Sequence, residues 1–269
     1  MEKGTVKVAL ANVYSSASES AGMVTQVLFA TTVDILDKKK VWAKIQIPVQ
    51  QDYTGWIKKE CIFRGRTPAR FYRKTIVWEH WAALKDKPRE NSRTMLRVPL
   101  NTRLWVLEKQ GDWSMVWVPD SGRAWLDERK QETARAAVFR GRSSGESILG
   151  LARTFRGVPY LWGGITPEGF DCSGFVLTLY ALHDCFLHRD TDQQYENDGL
   201  FVDMNEIRPG DLLYFYEETA EKPTHVGIYE GGQSFINASS EGGGVVSYNL
   251  EKYKQRLKVS GAKRIFDPS

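Results

Sequence analysis

Between residues 6 and 65 apolar and polar positions alternate in short runs: Val6-Lys7-Val8-Ala9-Leu10, Thr32-Val33-Asp34-Ile35-Leu36 and Val41-Trp42-Ala43-Lys44-Ile45-Gln46-Ile47. A period of two over such lengths predicts half-buried strands. The charged run Asp37-Lys38-Lys39-Lys40 reads as a turn, and Ser15-Ser16-Ala17-Ser18-Glu19-Ser20 as a polar loop. The pattern then repeats. Thr31 falls on Thr102, Leu36 on Leu107 and Trp42 on Trp113, all at one offset (113 − 42 = 71). Tyr53-Thr54-Gly55-Trp56-Ile57 is echoed by Gly122-Arg123-Ala124-Trp125-Leu126. A shared register with matched tryptophans predicts two copies of one small β-barrel, with Trp42 and Trp113 in the barrel cores. Residues 66–90, with Pro68, Arg70 and Lys85-Asp86-Lys87-Pro88-Arg89, alternate poorly and read as linker plus insertion.

The pattern changes in the second half. A polar, arginine-rich stretch at 131–142 leads to Ser143-Ser144-Gly145-Glu146, followed by Ile148, Leu149, Leu151, Ala152 and Phe155. This predicts a capped amphipathic helix ending at Gly157. A glycine-rich loop, Tyr160-Leu161-Trp162-Gly163-Gly164, precedes Phe170-Asp171-Cys172-Ser173-Gly174 and the run Phe175-Val176-Leu177-Thr178-Leu179-Tyr180-Ala181-Leu182. That run is long and apolar enough to be a buried helix. After a polar loop at 187–195 come a turn at 207–211 and strands at 212–216, 225–229 and 234–238, the last two joined by Gly231-Gly232. Helices first and an antiparallel meander after them predict an α+β layout. The predicted divisions are 1–65 for the first barrel, 66–130 for linker, insertion and second barrel, and 131–269 for the α+β domain.

One constellation carries chemistry. Asp171 suits an N-cap, which puts Cys172 in the first helical turn, where free N–H groups and the dipole favour negative charge. Such a place lowers a thiol's pKa into the range of roughly 3.5–7.5 that makes a nucleophile. A thiol needs a base, and the base needs a group to orient it. His225 begins a predicted strand, and Asn237 lies across the hairpin from it. The amide oxygen is expected to accept Nδ1–H of His225 and leave Nε2 facing sulfur. His183, Cys185 and His188 follow an apolar helix with no fourth ligand nearby, so zinc is not read there.

Composition narrows the class. A balance of 37 Lys+Arg against 33 Asp+Glu, without basic runs interleaved with aromatics, argues against nucleic acid. The 9 tryptophans suit small β-domains. Cys61, Cys172 and Cys185 form an odd set with no close pair, which argues against a disulfide scaffold. No apolar stretch is long enough to cross a bilayer. Met1-Glu2-Lys3-Gly4 does not start a signal peptide, so the expected compartment is the cytoplasm, or the periplasm or exterior had a leader been removed.

Taken together, Tyr160-Leu161-Trp162-Gly163-Gly164, Asp171-Cys172-Ser173-Gly174-Phe175, Arg208-Pro209-Gly210-Asp211-Leu212, His225-Val226-Gly227-Ile228-Tyr229 and Phe235-Ile236-Asn237-Ala238 resemble the ordered motifs of the NlpC-type cysteine peptidases. The resemblance covers about residues 140–269, and the two repeats before it resemble bacterial SH3-like domains. It implies a multidomain chain: two small all-β SH3-like barrels, then an α+β papain-like peptidase domain. It further implies hydrolysis of the γ-D-glutamyl to diamino-acid bond of peptidoglycan stem peptides in cell-wall turnover, by a monomer without metal or cofactor. Cys172 would be the nucleophile, His225 the base and Asn237 the orienting residue. The Tyr160 hydroxyl and the Cys172 N–H would hold the oxyanion. In a subgroup similar to dipeptidyl-peptidase VI, which also has two SH3-like domains, Asp171 and Ser173 match residues that bind the free α-amine of an N-terminal L-Ala. Trp162 and Thr191, within Arg189-Asp190-Thr191, match positions lining the substrate pocket. In that subgroup the first barrel closes the cleft with a tyrosine, matched by Tyr53, and a glutamate. Gly22 stands where the acid is expected, with Glu19 nearby but out of register. Two other classes remain open on the residues: a non-catalytic muropeptide- or wall-binding protein, and a Cys-His amidase cutting between the sugar and L-Ala.

Overall fold

Alternating sequence becomes two antiparallel barrels in the N-terminal half. The structure, a computed structural model, describes residues 2–65, 73–138, 143–216, 219–254 and 257–266. Pro68 and Arg70 of the expected linker lie outside the described residues. The chain divides into two units, Met1–Ala137 and Val138–Ser269.

The first barrel contains β1 (Glu2–Val6), β2 (Leu10–Tyr14), β3 (Met23–Leu28), β4 (Thr32–Lys39), β5 (Trp42–Ile47), β6 (Tyr53–Lys58) and β7 (Ile62–Phe63), in the sheet order β3-β2-β6-β5-β4-β1-β7. The second contains β8 (Arg73–Ile76), β9 (Trp81–Lys85), β10 (Thr94–Pro99), β11 (Arg103–Gln110), β12 (Trp113–Val118) and β13 (Gly122–Asp127), in the order β10-β9-β13-β12-β11-β8. The repeat extends to the backbone. Val6 N–H bonds to Thr31 and Ala30 N–H to Val6; correspondingly, Val77 N–H bonds to Thr102 and Asn101 N–H to Val77. Trp42 and Trp113 are buried but not in the barrel cores as expected: alternation turns Ala43, Ile45 and Ile47 of β5 and Val116 and Val118 of β12 inward, and Trp42 packs edge-on against Tyr14 instead. Phe29, in the turn after β3, lies in the core of the second barrel beside Leu84 and Val98.

The reading of residues 66–90 as linker and insertion is corrected by β8 and β9. Both supply strands to the second barrel, and Ala82 and Leu84 are fully buried there. Their alternation was masked by polar residues on the outward face. The polar stretch from 131 is likewise helical in its first part. Helix α1 (Glu128–Val138) docks on the second barrel: the buried Glu128 accepts from Arg73 at 2.8 Å and Ser114 at 2.6 Å, and Gln131 accepts the Trp78 N–H. Residues 139–142 lie outside the described residues.

In the C-terminal unit come α2 (Gly145–Thr154), β14 (Ile165–Thr166), β15 (Gly169–Phe170), α3 (Cys172–Ala181), α4 (Thr191–Asn197), β16 (Leu200–Val202), β17 (Leu212–Tyr216), β18 (His225–Gly231), β19 (Ser234–Ser239), β20 (Gly244–Asn249), α5 (Leu250–Tyr253) and β21 (Lys258–Arg264). A reciprocal capping box between Ser144 and Ser147 starts α2. That helix ends at Thr154 rather than Gly157. Helix α3 is buried along its whole length, because its sequence offers no polar face. It packs on β18 and β19 of the sheet β16-β21-β17-β18-β19-β20. Phe155, Phe170 and Phe175 fasten α2 and the preceding hairpin to it, with ring centroids 5.4–6.5 Å apart. The multidomain expectation of SH3-like barrels before an α+β domain is the fold found.

Truncating Leu84 tests the placement of β9. Leu84→Ala should cost about 2–5 kcal/mol, as for a buried leucine. A loss within about 0.5 kcal/mol by denaturant unfolding would restore the linker reading.

Candidate active site

Helix α3 starts abruptly because Asp171, extended at φ −89° and ψ 177°, takes the N-cap and its Oδ1 accepts the Gly174 N–H at 2.6 Å. Cys172 is thereby the first helical residue, buried at 8% exposure. The preceding loop rests directly on this turn. A Cβ on Gly174 would lie 2.1 Å from the Gly164 carbonyl oxygen, so only glycine fits there. The other carboxylate oxygen, Oδ2, accepts the Gly163 N–H at 2.8 Å and Nη2 of Arg189 at 2.6 Å. Arg189 is 1% exposed, and its Nη1 donates to Ser173 Oγ at 2.8 Å. The Ser173 hydroxyl in turn faces Asp171 Oδ1 at 3.4 Å.

Backbone N–H groups of Ser173 and Val226 donate to the Cys172 sulfur, and Thr191 Oγ1 lies 3.7 Å from it. Val226 directly follows His225, so the sulfur rests against the strand that carries the histidine. Phe215 and Tyr253 flank the imidazole, with ring centroids 6.1 and 5.9 Å away. Its Nε2 lies 2.9 Å from Asn237 Oδ1. Asn237 is fully buried, and its Nδ2 donates to the Val246 carbonyl at 3.2 Å. That bond fixes the amide, so Oδ1 accepts and Nε2 carries the proton.

The expected tautomer is therefore corrected: Asn237 engages Nε2, and Nδ1 is the nitrogen left to exchange a proton. The register explains it. Ile228 pairs with Ile236, which sets Asn237 opposite Gly227, two residues along the same face from His225. At that diagonal separation the amide is within reach of the ring's outer nitrogen, and Nε2 is the one it meets. Gly227 leaves the space for this, since a Cβ there would fall 2.5 Å from the Phe235 ring and 3.1 Å from Asn237 Cβ.

Desolvation also overturns the expected low thiol pKa. Burial pushes Cys172 up to about 11, and the Asp171 charge adds to this against hydrogen bonds from Thr191, Val226 and Ser173. Burial pulls His225 down to about 4, against the Asn237 bond and the Asp171 charge, which raise it. Both shifts favour the neutral form, thiol and imidazole alike. Tyr160 is half-buried. Burial above all, with the nearby Cys172 and Asp171 groups adding to it against Arg189, holds its hydroxyl above its ordinary value, so it stays a donor.

The structure thus brings Cys172, Ser173, Asp171, Arg189 and Thr191 into one network and His225 with Asn237 into another, joined through Val226. Trp162 is 67% exposed on the loop before α3. Tyr53 opens β6 in the N-terminal unit, where Glu19 pairs with Lys58. His183 faces Ser147 Oγ and the Leu179 carbonyl, and His188 pairs with Asp198 at 2.7 Å. Among the described residues no group of three or more His, Cys, Asp or Glu is placed to hold a metal ion.

Sequence reading missed the burial of Arg189, the helix α4 it precedes, and the aromatic walls Phe215 and Tyr253. One signal was available. Asp171 is the only charge from Phe170 to Leu182, and a carboxylate heading an apolar helix requires a buried cation or donors.

An α+β domain of this build, with a cysteine heading a buried helix and a His–Asn pair on the sheet against it, is that of a papain-like cysteine peptidase. The family model described as "NlpC/P60 family" matches residues 157–262, and "Bacterial dipeptidyl-peptidase Sh3 domain" matches residues 13–62. The probable endopeptidase NlpC of Escherichia coli is 41% identical over 114 residues, which are 42% of this chain and 73% of that one. A gamma-D-glutamyl-L-lysine dipeptidyl-peptidase of Bacillus cereus is 29% identical over 226 residues, which are 80% of this chain and 66% of that relative's length. The crystal structure of an NlpC/P60 family protein from Bacillus cereus superposes with a TM-score of 0.81 at 23% identity, covering 98% of this chain and 100% of that one, and so shares its fold. The chain belongs to the NlpC/P60 family of cysteine peptidases.

Nitrogen-15 NMR of the histidine ring tests the tautomer. At pH 7 His225 should show a protonated Nε2 and a bare Nδ1, and should stay neutral down to about pH 5. A ring protonated on Nδ1, or titrating at about 6.5 or above, contradicts the geometry.

Proposed function

We propose that the protein is a cysteine endopeptidase that hydrolyses the γ-D-Glu to diamino-acid bond of peptidoglycan stem peptides bearing a free N-terminal L-Ala, releasing L-Ala-γ-D-Glu. The observation that carries this reading is the Asn237-oriented imidazole on β18, the strand whose next amide contacts the Cys172 sulfur. The relatives named for γ-D-glutamyl peptide cleavage support the choice of bond.

In this reading Nδ1 of His225 takes the thiol proton as the sulfur attacks the γ-carbonyl carbon of D-Glu. The oxyanion is held by the Cys172 N–H and by Tyr160, whose raised pKa keeps its hydroxyl protonated. The imidazolium then gives its proton to the departing amine of the diamino acid. Water, deprotonated by the same nitrogen, cleaves the thioester and regenerates the thiol. Asn237 orients the ring but carries no charge, so the imidazolium draws support from its amide dipole and from Asp171.

Asp171 and Ser173 are the proposed receptors of the substrate α-amine. Since Arg189 already pairs with that carboxylate, the ammonium shares Asp171 with the guanidinium. Trp162 offers an exposed apolar face on the loop before α3 for the rest of the peptide.

Product analysis by mass spectrometry is decisive. Cys172→Ala should abolish release of L-Ala-γ-D-Glu from a free stem peptide. Turnover retained in that variant would refute the assignment, and release of an intact stem peptide from the glycan would instead identify an amidase.

The pH profile follows from the neutral imidazole. His225 must be unprotonated to accept the thiol proton, so kcat/KM should hold steady from pH 8 to about 6 and fall as pH approaches about 4. An acid limb centred at 6.5 or above would contradict it. Tyr160→Phe should lower kcat about 10²–10³-fold with a smaller change in KM. A kcat within about twofold of the parent would remove Tyr160 from the oxyanion site.

A further inference from the structure

Asp171 carries a conflict. Its carboxylate oxygens cap α3 and accept from Gly163, and it sits one residue from a sulfur that becomes an anion during attack. A like charge beside the thiol opposes that anion.

We propose that Arg189 is a positioning residue for the reaction: by bridging Asp171 and Ser173 at the first turn of α3, it offsets part of the carboxylate's charge and holds Cys172 in attacking position. This rests on the proposed role of Cys172 as nucleophile. The guanidinium fork meets Asp171 Oδ2 at 2.6 Å with one nitrogen and Ser173 Oγ at 2.8 Å with the other. An ammonium is a single point charge and does not reproduce that planar fork.

The surroundings agree. Two residues after Arg189, Thr191 opens α4 and faces the sulfur at 3.7 Å. Gln194, fully buried, donates through Nε2 to the Ser173 and His188 carbonyls. Thus α4 and the segment before it grip the first turn of α3 through Arg189, Thr191 and Gln194. The groups around the thiol are Asp171 and Ser173 from α3, Tyr160 from the loop, Thr191 from α4, and the Val226 N–H with the neighbouring His225 from β18. Asp171 is the resting negative charge among these, and Arg189 is the cation paired with it.

The test uses the full chain and reads the thiol without substrate. Iodoacetamide labelling of Cys172 at pH 8, followed at its own peptide by mass spectrometry, reports thiolate availability apart from Cys61 and Cys185. Arg189→Gln should slow labelling about tenfold or more and lower kcat on the free stem peptide by a comparable factor, with KM within about twofold. Adding Asp171→Asn, which keeps a capping side chain but removes the charge, should return labelling to within about threefold of the parent. A merely structural arginine would show no such rescue. The proposal is overturned if folded Arg189→Gln labels at the parental rate, or if the double variant stays as slow as the single one. Should Arg189→Gln fail to fold, Asp171→Asn alone decides: faster labelling supports the proposal, and an equal or slower rate overturns it. Failure of the nucleophile assignment shows separately, as turnover by Cys172→Ala.

Discussion

A carboxylate at the head of a wholly buried helix is the constraint from which the C-terminal unit follows. Helix α3 has no polar face, so it is enclosed on all sides, and its cap is enclosed with it. An ionised Asp171 there is tolerable only with every oxygen engaged. Gly174 and Ser173 come from the helix itself, Gly163 from the preceding loop and Arg189 from the segment leading to α4. Each partner draws a different stretch of chain to one point. Buried ion pairs contribute little net stability, but one left half-made is costly. Cys172 is therefore held where those partners converge.

The sheet supplies the other half by register alone. Antiparallel pairing of β18 with β19 makes Asn237 the diagonal neighbour of His225, and the Val246 carbonyl orients the amide. The ring then has little freedom between Phe215 and Tyr253. The same burial that fixes both groups strips water from them, and desolvation outweighs the helix terminus in setting the thiol. Precise placement and neutral resting groups are two results of one enclosure.

The barrels and the core of the peptidase domain were legible because their signals are periodic. Matched tryptophans at a single offset revealed the duplication, and the strands at 212–216, 225–231 and 234–239 carry apolar runs between glycine turns. Strands β8 and β9 were obscured because Arg73, Lys74 and Lys85 mark them as polar, and their buried partners are supplied by the barrel rather than by neighbours in sequence. Helix α4, Thr191-Asp192-Gln193-Gln194-Tyr195-Glu196-Asn197, has no apolar stripe, and only Thr191 and Gln194 are buried. Strand β21 contains Ser260-Gly261 and few apolar residues, so pairing with β17 rather than intrinsic pattern makes it extended. At the site, residue types and approximate neighbours were readable. The ring nitrogen and the state of the thiol were not, because both depend on three-dimensional enclosure.

That enclosure bears on durability as well as on chemistry. Peroxides and other oxidants attack the thiolate, and their attack follows its population and its exposure. A sulfur recessed at 8% exposure, whose burial pushes its pKa up, offers them little of either. The burial that positions the sulfur thus also disfavours its oxidation to a sulfenic acid.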